Sequence, residues 1–376
     1  MHDVAIIGGG AIGLAIAWRA SAKGLTVAVV DPSPGSGASH VAAGMLAPVA
    51  EANFGEQRLL DLSQGSWRRY PSFIAELEAA SGHATGYVRC GALIVARDSD
   101  ENHALEREHH FRLALGLRER RLTSRECRRL EPGLAPSVRG GVLADDDHQV
   151  DPRALVAALL AACARNGVDI VRSPATAVGV SGERASGVQV GEGEVIAAHT
   201  TVLAAGCWSA RIPGVPSDAV PPVRPVKGQI LRLQGGSPAA PVSRIVRGRD
   251  VYIVPRGDGR VVVGSTVEEH GFDTSVTAGA VYQLLRDALE LVPDIGEMEV
   301  TEVTAGLRPG TPDNGPIIGA STLDGLLVAT GHFRNGILLA PITADAVTAL
   351  ITGDASPIEA APFTPARFVH GEAVVA

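Results

Sequence analysis

Apolar positions along the chain change period several times, and each change marks an element. Asp3 to Ile7 is a continuous apolar run, the mark of a parallel strand buried on both faces. From Ile12 to Ala20 the apolar residues recur at helical spacing until Gly24, and Leu25 to Val30 reads as a second strand. Leu59 to Ser81 has the spacing of a long amphipathic helix, which Pro71 is expected to bend or divide. Tyr87 to Ala96 reads as a strand, Glu101 to Leu115 as a charged helix, Ser124 to Leu130 as a short helix, and a further strand starts at Gly141. Asp151 is placed to cap a helix with Pro152 at its first position, running to Arg165 and closed by Asn166-Gly167. Val168 to Val171 is a strand, Gly179 to Gly193 a hairpin-like excursion, and Thr201 to Ala205 a buried strand.

After Pro221, Pro222 and Pro225 the pattern turns to alternation. Lys227 to Leu233, Val251 to Val254 and Arg260 to Val263 read as strands, the last two joined as a hairpin through residues 255–259. An amphipathic helix spans Thr277 to Val292, and Met298 to Ala305 is a strand. The chain then returns to a buried strand, Leu326 to Ala329, and a helical pattern from about Gly336 to Gly353, with an irregular tail. The fold class is α/β (α+β overall): a Rossmann-like domain with an inserted substrate domain built on a mixed, largely antiparallel sheet.

Composition narrows the field. The chain has 376 residues, enough for two substantial cores, and a formal net charge of −8, which argues against nucleic acid as a partner. No apolar run approaches the roughly 20 residues of a membrane span, and no basic leader with a cleavage site is present, so a soluble, cytoplasmic protein is expected. Cys90, Cys127, Cys163 and Cys207 are scattered without a CxxC pair, which fits a reduced compartment and no metal site. His103, His109 and His110 fit a solvated helix face better than a metal site, and Asp145 to Asp147 a solvated turn.

The chemistry is concentrated in a few stretches. Gly8, Gly10 and Gly13 form G-x-G-x-x-G between the first strand and its helix, and Asp31 ends the second strand. The first glycine allows the tight turn, the second admits a pyrophosphate, the third lets helix and strand pack, and the acid accepts ribose hydroxyls. The spacing indicates a dinucleotide without separating FAD from NAD. Ser33 to Met45 is small and polar, then Ala/Gly-rich; it suits a backbone lying along a ring system, or a flexible loop. Ala204-Ala205-Gly206-Cys207-Trp208-Ser209 reads as a second close approach to a nucleotide. Arg308 and Arg334 stand in Gly/Pro-rich turns on either side of Leu326 to Ala329, a pairing that suits an anion.

Together these stretches resemble the FAD-dependent D-amino-acid oxidase-like family, and within it the glycine oxidases of thiamine biosynthesis. The carriers are GGGAIG with Asp31, SHVAAGML (39–46), AAGCWS (204–209), PVKGQ (225–229), VYIVPR (251–256) with VVVGST, GLRPGTPDNGPIIG and GHFRNGILLAP, in one order over nearly the whole chain. The resemblance implies non-covalent FAD and an FAD-binding domain of residues 1–86, 143–221 and 305–376, with a substrate-binding domain of 87–142 and 222–304. It implies that Gly8, Gly10, Ala11, Ile12, Gly13, Asp31, Pro32, Ala38, Ser39, Ala43, Gly44 and Met45 contact FAD. Ala175, Thr176, Ala205, Gly206 and Trp208 would join them, and His332, Phe333, Arg334, Asn335, Gly336, Ile337 and Leu338 would face the flavin ring.

Arg308 would pair with the substrate carboxylate as a planar two-donor clamp. Arg334, Tyr252, Ala47, Ala50 and Val267 would complete the substrate pocket, with no residue acting as acid or base. The implied reaction is oxidative deamination of glycine, sarcosine or D-alanine by hydride transfer to flavin, with O2 reduced to H2O2 and release of the 2-oxo acid and ammonia. The glycine imine would be handed to thiazole synthase, and the assembly would be a homo-oligomer, by resemblance a tetramer. A D-amino-acid dehydrogenase using another electron acceptor is a second reading; a flavin-free binding protein or FAD-binding subunit of a larger complex is a third. Asp31 where Glu is commoner, and Ala47, Asp250 and Val267, depart from the family pattern at the ribose and the side-chain pocket.

Overall fold

A computed structural model describes residues 1–236 and 240–368. Among these residues two eight-stranded sheets carry the fold. In the first, the strand order is Ile317–Ala320, Leu326–Thr330, Glu194–Leu203, His2–Ile7, Val27–Val30, Asp169–Val171. All neighbours along it are parallel except Ile317–Ala320, which runs antiparallel to Leu326–Thr330. His2–Ile7 lies between Val27–Val30 and Glu194–Leu203, so Val4, Ala5 and Ile6 have no exposed surface. That is the burial its unbroken apolar run predicts. The long strand Glu194–Leu203 extends past its parallel neighbours and there pairs with Arg184–Val190, which pairs with Ala175–Ser181. The expected excursion is therefore a three-stranded meander.

The helices Ala11–Ala22, Gln57–Ser81, Pro152–Arg165 and Ala340–Thr352 share the larger core with this sheet. Asp151 caps Pro152–Arg165 by accepting from the backbone of Arg153 at 3.0 Å. Pro71 does not divide Gln57–Ser81: Tyr70, Phe73, Ile74 and Leu77 beside it all enter one core, which outweighs the hydrogen bond that proline cannot make.

The second sheet runs Glu299–Gly310, Arg224–Gln234, Arg260–Gly264, Tyr252–Pro255, Ile245–Arg247, Ala92–Ala96, Gly140–Ala144, Arg120–Thr123. Ile245–Arg247 and Ala92–Ala96 are parallel; the remaining neighbours are antiparallel, so the sheet is mixed and largely antiparallel. Helix Ala278–Leu291, capped by Thr277, shares this sheet's core through Leu284, Ala288 and Leu291.

Two expectations fail here. Residues 306–310 are not a turn: Glu299–Gly310 stays extended to its end, with Arg308 opposite Val226 and Pro309 opposite Pro225. The strand lies at the sheet edge, where a missing N–H leaves no ladder bond unmade. The acidic turn is also not wholly solvated. Asp145 and Asp146 pair with Arg120 and Arg118 at the surface, whereas Asp147 is fully buried. No helix among the described residues is long and apolar enough to cross a membrane.

Candidate functional site

A cavity of about 1190 Å³ is lined from both sheets. At one end is the turn after the first strand. Gly8 has φ +111°, and a Cβ there would stand 2.4 Å from the Ala204 carbonyl oxygen. A Cβ at Gly13 would meet the Gly8 oxygen at 1.9 Å, so Gly13 serves the packing of helix on strand and does not line the cavity. Gly10 differs: it lines the cavity, and its nearest neighbour would be the Ser39 hydroxyl at 3.4 Å. Ala11 and Ile12 continue the wall at the helix start, where the Ala11 N–H donates to Ser39 Oγ at 3.0 Å. Asp31 accepts from the Gly9 N–H at 2.7 Å and the Ser33 N–H at 2.8 Å, one on each oxygen. A carboxylate has about four acceptor positions, so capacity for hydroxyl donors remains.

The Ala/Gly-rich segment is an ordered wall. Pro32, Ala38, Ser39, Ala43, Gly44, Met45 and Ala47 all line the cavity. The His40 carbonyl accepts from Arg153 at 3.1 Å and Arg232 at 3.0 Å, and both guanidiniums share Glu302. Arg256, the arginine of VYIVPR, is buried and donates to the Ala43 carbonyl at 2.5 Å and to Gln149. Its burial pushes its pKa down to about 10. Gly44, at φ +79°, lies so close to Val150 that a Cβ would meet its oxygen at 2.0 Å.

The opposite wall comes from Ala205, Gly206 and Trp208 and from His332 to Ile337. Thr330 ties the two stretches, donating to the Gly206 carbonyl at 2.9 Å and accepting from Ser209 at 2.9 Å. His332 is buried with Nε2 3.0 Å from Thr343 Oγ1, and burial pushes its pKa down to about 3, so it is neutral near pH 7. Phe333 has φ +44°, uncommon for a residue with a side chain. The helix expected from Gly336 begins at Ala340. Tyr70 and Ser66 of Gln57–Ser81 donate to the carbonyls of Ile337 at 2.9 Å and Leu338 at 2.6 Å, which holds those residues in turns.

At the far end Arg308 reaches across its neighbour strand. Its guanidinium donates to Ser265 Oγ at 2.6 Å, to the Thr266 carbonyl at 3.2 Å and to the Lys227 carbonyl at 3.4 Å. It lies directly over Gly228, where a Cβ would come within 2.2 Å of it. Tyr252 and Val267 line the same region, Val267 largely exposed at 67 %. Arg247 donates to the Ala50 carbonyl at 2.9 Å and to Glu51 at 3.2 Å, and Arg334 stands 3.8 Å from Glu51 and 3.8 Å from Glu56. Behind Glu51, the buried Asp147 carboxylate accepts from the N–H groups of Val49 at 3.0 Å and Ala50 at 2.9 Å. Burial pushes the Asp147 pKa up to about 7 despite these bonds.

Four expected residues do not reach the wall: Gly13, Thr176, Leu338 and Ala50. Thr176 is exposed and leaves that part of the wall to Pro174 and Ala175, Leu338 is buried against Ser66, and Ala50 contributes a carbonyl to Arg247. Sequence reading missed Gly228, Ser265, Arg247, Glu51 and Asp147. Gly228 lies within the PVKGQ stretch and could have been read as room for a neighbour; Arg247 carries no local signal.

A parallel sheet with a glycine turn, an acid at its second strand and a long cavity ending at an arginine defines a dinucleotide-binding protein with an anion site beside the dinucleotide. The profile of the FAD dependent oxidoreductase (DAO) family matches residues 3–350, and the chain belongs to that family. The residues present fit FAD: Gly10 leaves its Cβ position open at the cavity, Asp31 keeps free acceptor capacity, and Ala43 and Gly44 keep the wall beside them free of long side chains.

The bifunctional protein ThiO/ThiG of Synechocystis sp. is 37 % identical over 98 % of this chain and 54 % of its own. The chain thus spans about half the length of the first curated relatives it matches. The hydrogen cyanide synthase subunit HcnC of Pseudomonas aeruginosa is 31 % identical over all of this chain and 98 % of its own. The crystal structure of glycine oxidase from Geobacillus kaustophilus superposes with a TM-score of 0.89 and 34 % identity, covering 96 % of this chain and 98 % of that one.

Proposed function

We propose that the protein oxidises glycine and small amino acids such as sarcosine and D-alanine, releasing the 2-oxo acid with ammonia, or with methylamine in the case of sarcosine. The observation that carries this is the Arg308 guanidinium, held flat over Gly228 in the cavity that begins at the glycine turn. Two parallel N–H donors match a carboxylate and fix its orientation as well as its charge. The glycine turn, Asp31 and residues 43–45 would hold FAD non-covalently, and FAD would supply the hydride acceptor for the α-carbon and the route of the electrons to O2, giving H2O2. The Tyr252 hydroxyl would contact the carboxylate, and Arg334 would close the pocket beside it. His332 stays neutral, so it adds no charge beside the reacting carbon. No residue is assigned as acid or base; positioning and charge complementarity supply the rate. The parallel sheet with its helices would be the FAD-binding domain and the antiparallel sheet the substrate-binding one.

The fused name of the Synechocystis relative supports delivery of the glycine imine to a thiazole synthase, and a homo-oligomer is part of the same reading. The test is peroxide release by the flavin-loaded protein across glycine, sarcosine and D-amino acids. Glycine should give peroxide with matching ammonia, and sarcosine peroxide with matching methylamine. Flavin bleaching by an amino acid without peroxide would favour a dehydrogenase instead. Cyanide should be assayed in the same samples, since one relative is named for cyanide synthesis.

A further inference from the structure

We propose that Glu51 sets the substrate range of this cavity by occupying the place that a second substrate carboxylate would take. The inference rests on the reading of Arg308 as the carboxylate clamp. Arg247 lies on the same wall as Arg308. It is opposite Tyr252, which is opposite Gly264, and the next residue, Ser265, holds the Arg308 guanidinium. Two strand steps, about 10 Å, therefore separate the backbones of Arg247 and Ser265, and both arginines line the one cavity. An amino acid with a second carboxylate, held by Arg308, would present that group toward Arg247.

In the protein as it stands, Arg247 is already matched. Its Nη1 is 3.2 Å from Glu51 Oε1, and Arg334 Nε is 3.8 Å from Glu51 Oε2. Glu51 lines the cavity with its side chain only 16 % exposed. It is not free to swing away: Asp147 holds the N–H groups of Val49 and Ala50, and Arg247 holds the Ala50 carbonyl. An incoming carboxylate would meet a fixed negative charge where it needs a positive one. Removing that charge leaves Arg247 with one carbonyl partner and an unmatched charge facing the cavity, while Arg334 keeps Glu56.

The experiment measures binding of acetate and malonate to the flavin-loaded protein through the perturbation of its absorption spectrum, so no turnover is needed. The wild-type protein should bind malonate no better than acetate. Glu51→Gln should improve malonate relative to acetate by about tenfold or more, the factor expected from one charge-assisted hydrogen bond. Adding Arg247→Gln should erase that gain. In steady state, the ratio of kcat/KM for iminodiacetate to that for glycine should move the same way. A role confined to loop stability would weaken both ligands together and leave the ratio unchanged; that result, or a gain that survives Arg247→Gln, overturns the assignment. Glu51→Ala gives the same comparison should the glutamine variant misfold. Arg308→Ala separates the two readings: retained acetate binding would remove the clamp and this inference with it, whereas an unchanged ratio with the clamp intact removes this inference alone.

Discussion

Arg308 lies flat across the strand beside it because residue 228 has no side chain. Two substitutions should therefore converge. Arg308→Ala should keep FAD and lose substrate affinity by ~2–5 kcal/mol, the range for removing one partner of a desolvated charge pair. Gly228→Ala should do much the same, since its methyl would stand where the guanidinium now lies. Titration with a carboxylate inhibitor, read beside the flavin spectrum, checks both, and wild-type affinity in either would contradict the clamp. Asp147 makes a different test. Its carboxyl is raised from 3.8 to about 7, so between those values the folded protein holds a proton that the unfolded chain has released. Stability must then fall as pH rises through that window. Unfolding by urea at pH 5 and pH 8 should show a smaller loss in Asp147→Asn than in wild type.

At the scale of elements, the glycine turn separates two kinds of glycine. Gly10→Val should give a folded protein without flavin, because its side chain would point away from protein atoms at the cavity wall. Gly13→Ala should impair folding itself. Circular dichroism with the ratio of flavin to protein absorbance distinguishes them. This turn was legible in sequence because its constraints are local: strand, glycines, helix and Asp31 fall within one short stretch. The buried strand Leu326–Thr330 and the capped helix Pro152–Arg165 were legible for the same reason. Proline and glycine around Arg308 suggested a turn, yet pairing with Arg224–Gln234 keeps the strand extended to Gly310. The contacts of Glu51 with Arg247 and Arg334 were illegible, because they join three distant segments and depend on strand order and register. Asp147 looked like its two acidic neighbours; only the fold turns it inward.

For the whole molecule, one cavity wall is shared by the parallel and antiparallel sheets, so cofactor and stability are linked. A ligand that binds only the folded state adds about 2.7 kcal/mol at a hundredfold excess over its Kd. Stripping FAD should lower the Tm, and returning it should restore the Tm in a concentration-dependent way by scanning calorimetry. An unchanged Tm would mean that the wall stands without its cofactor.

The position of the first strand also carries a consequence for synthesis on the ribosome. His2–Ile7 is translated well before one of its two partners, Glu194–Leu203. At about 5–20 residues per second the strand waits roughly 10–40 s with that edge unpaired. Phe333 and Arg334, which close the cavity wall, are translated later still. Cofactor loading is therefore a late event, and the apolar strand needs protection until then. Ribosome-stalled chains ending before residue 190 should leave residues 2–30 open to protease, and protection at that length would show that the strand finds another partner.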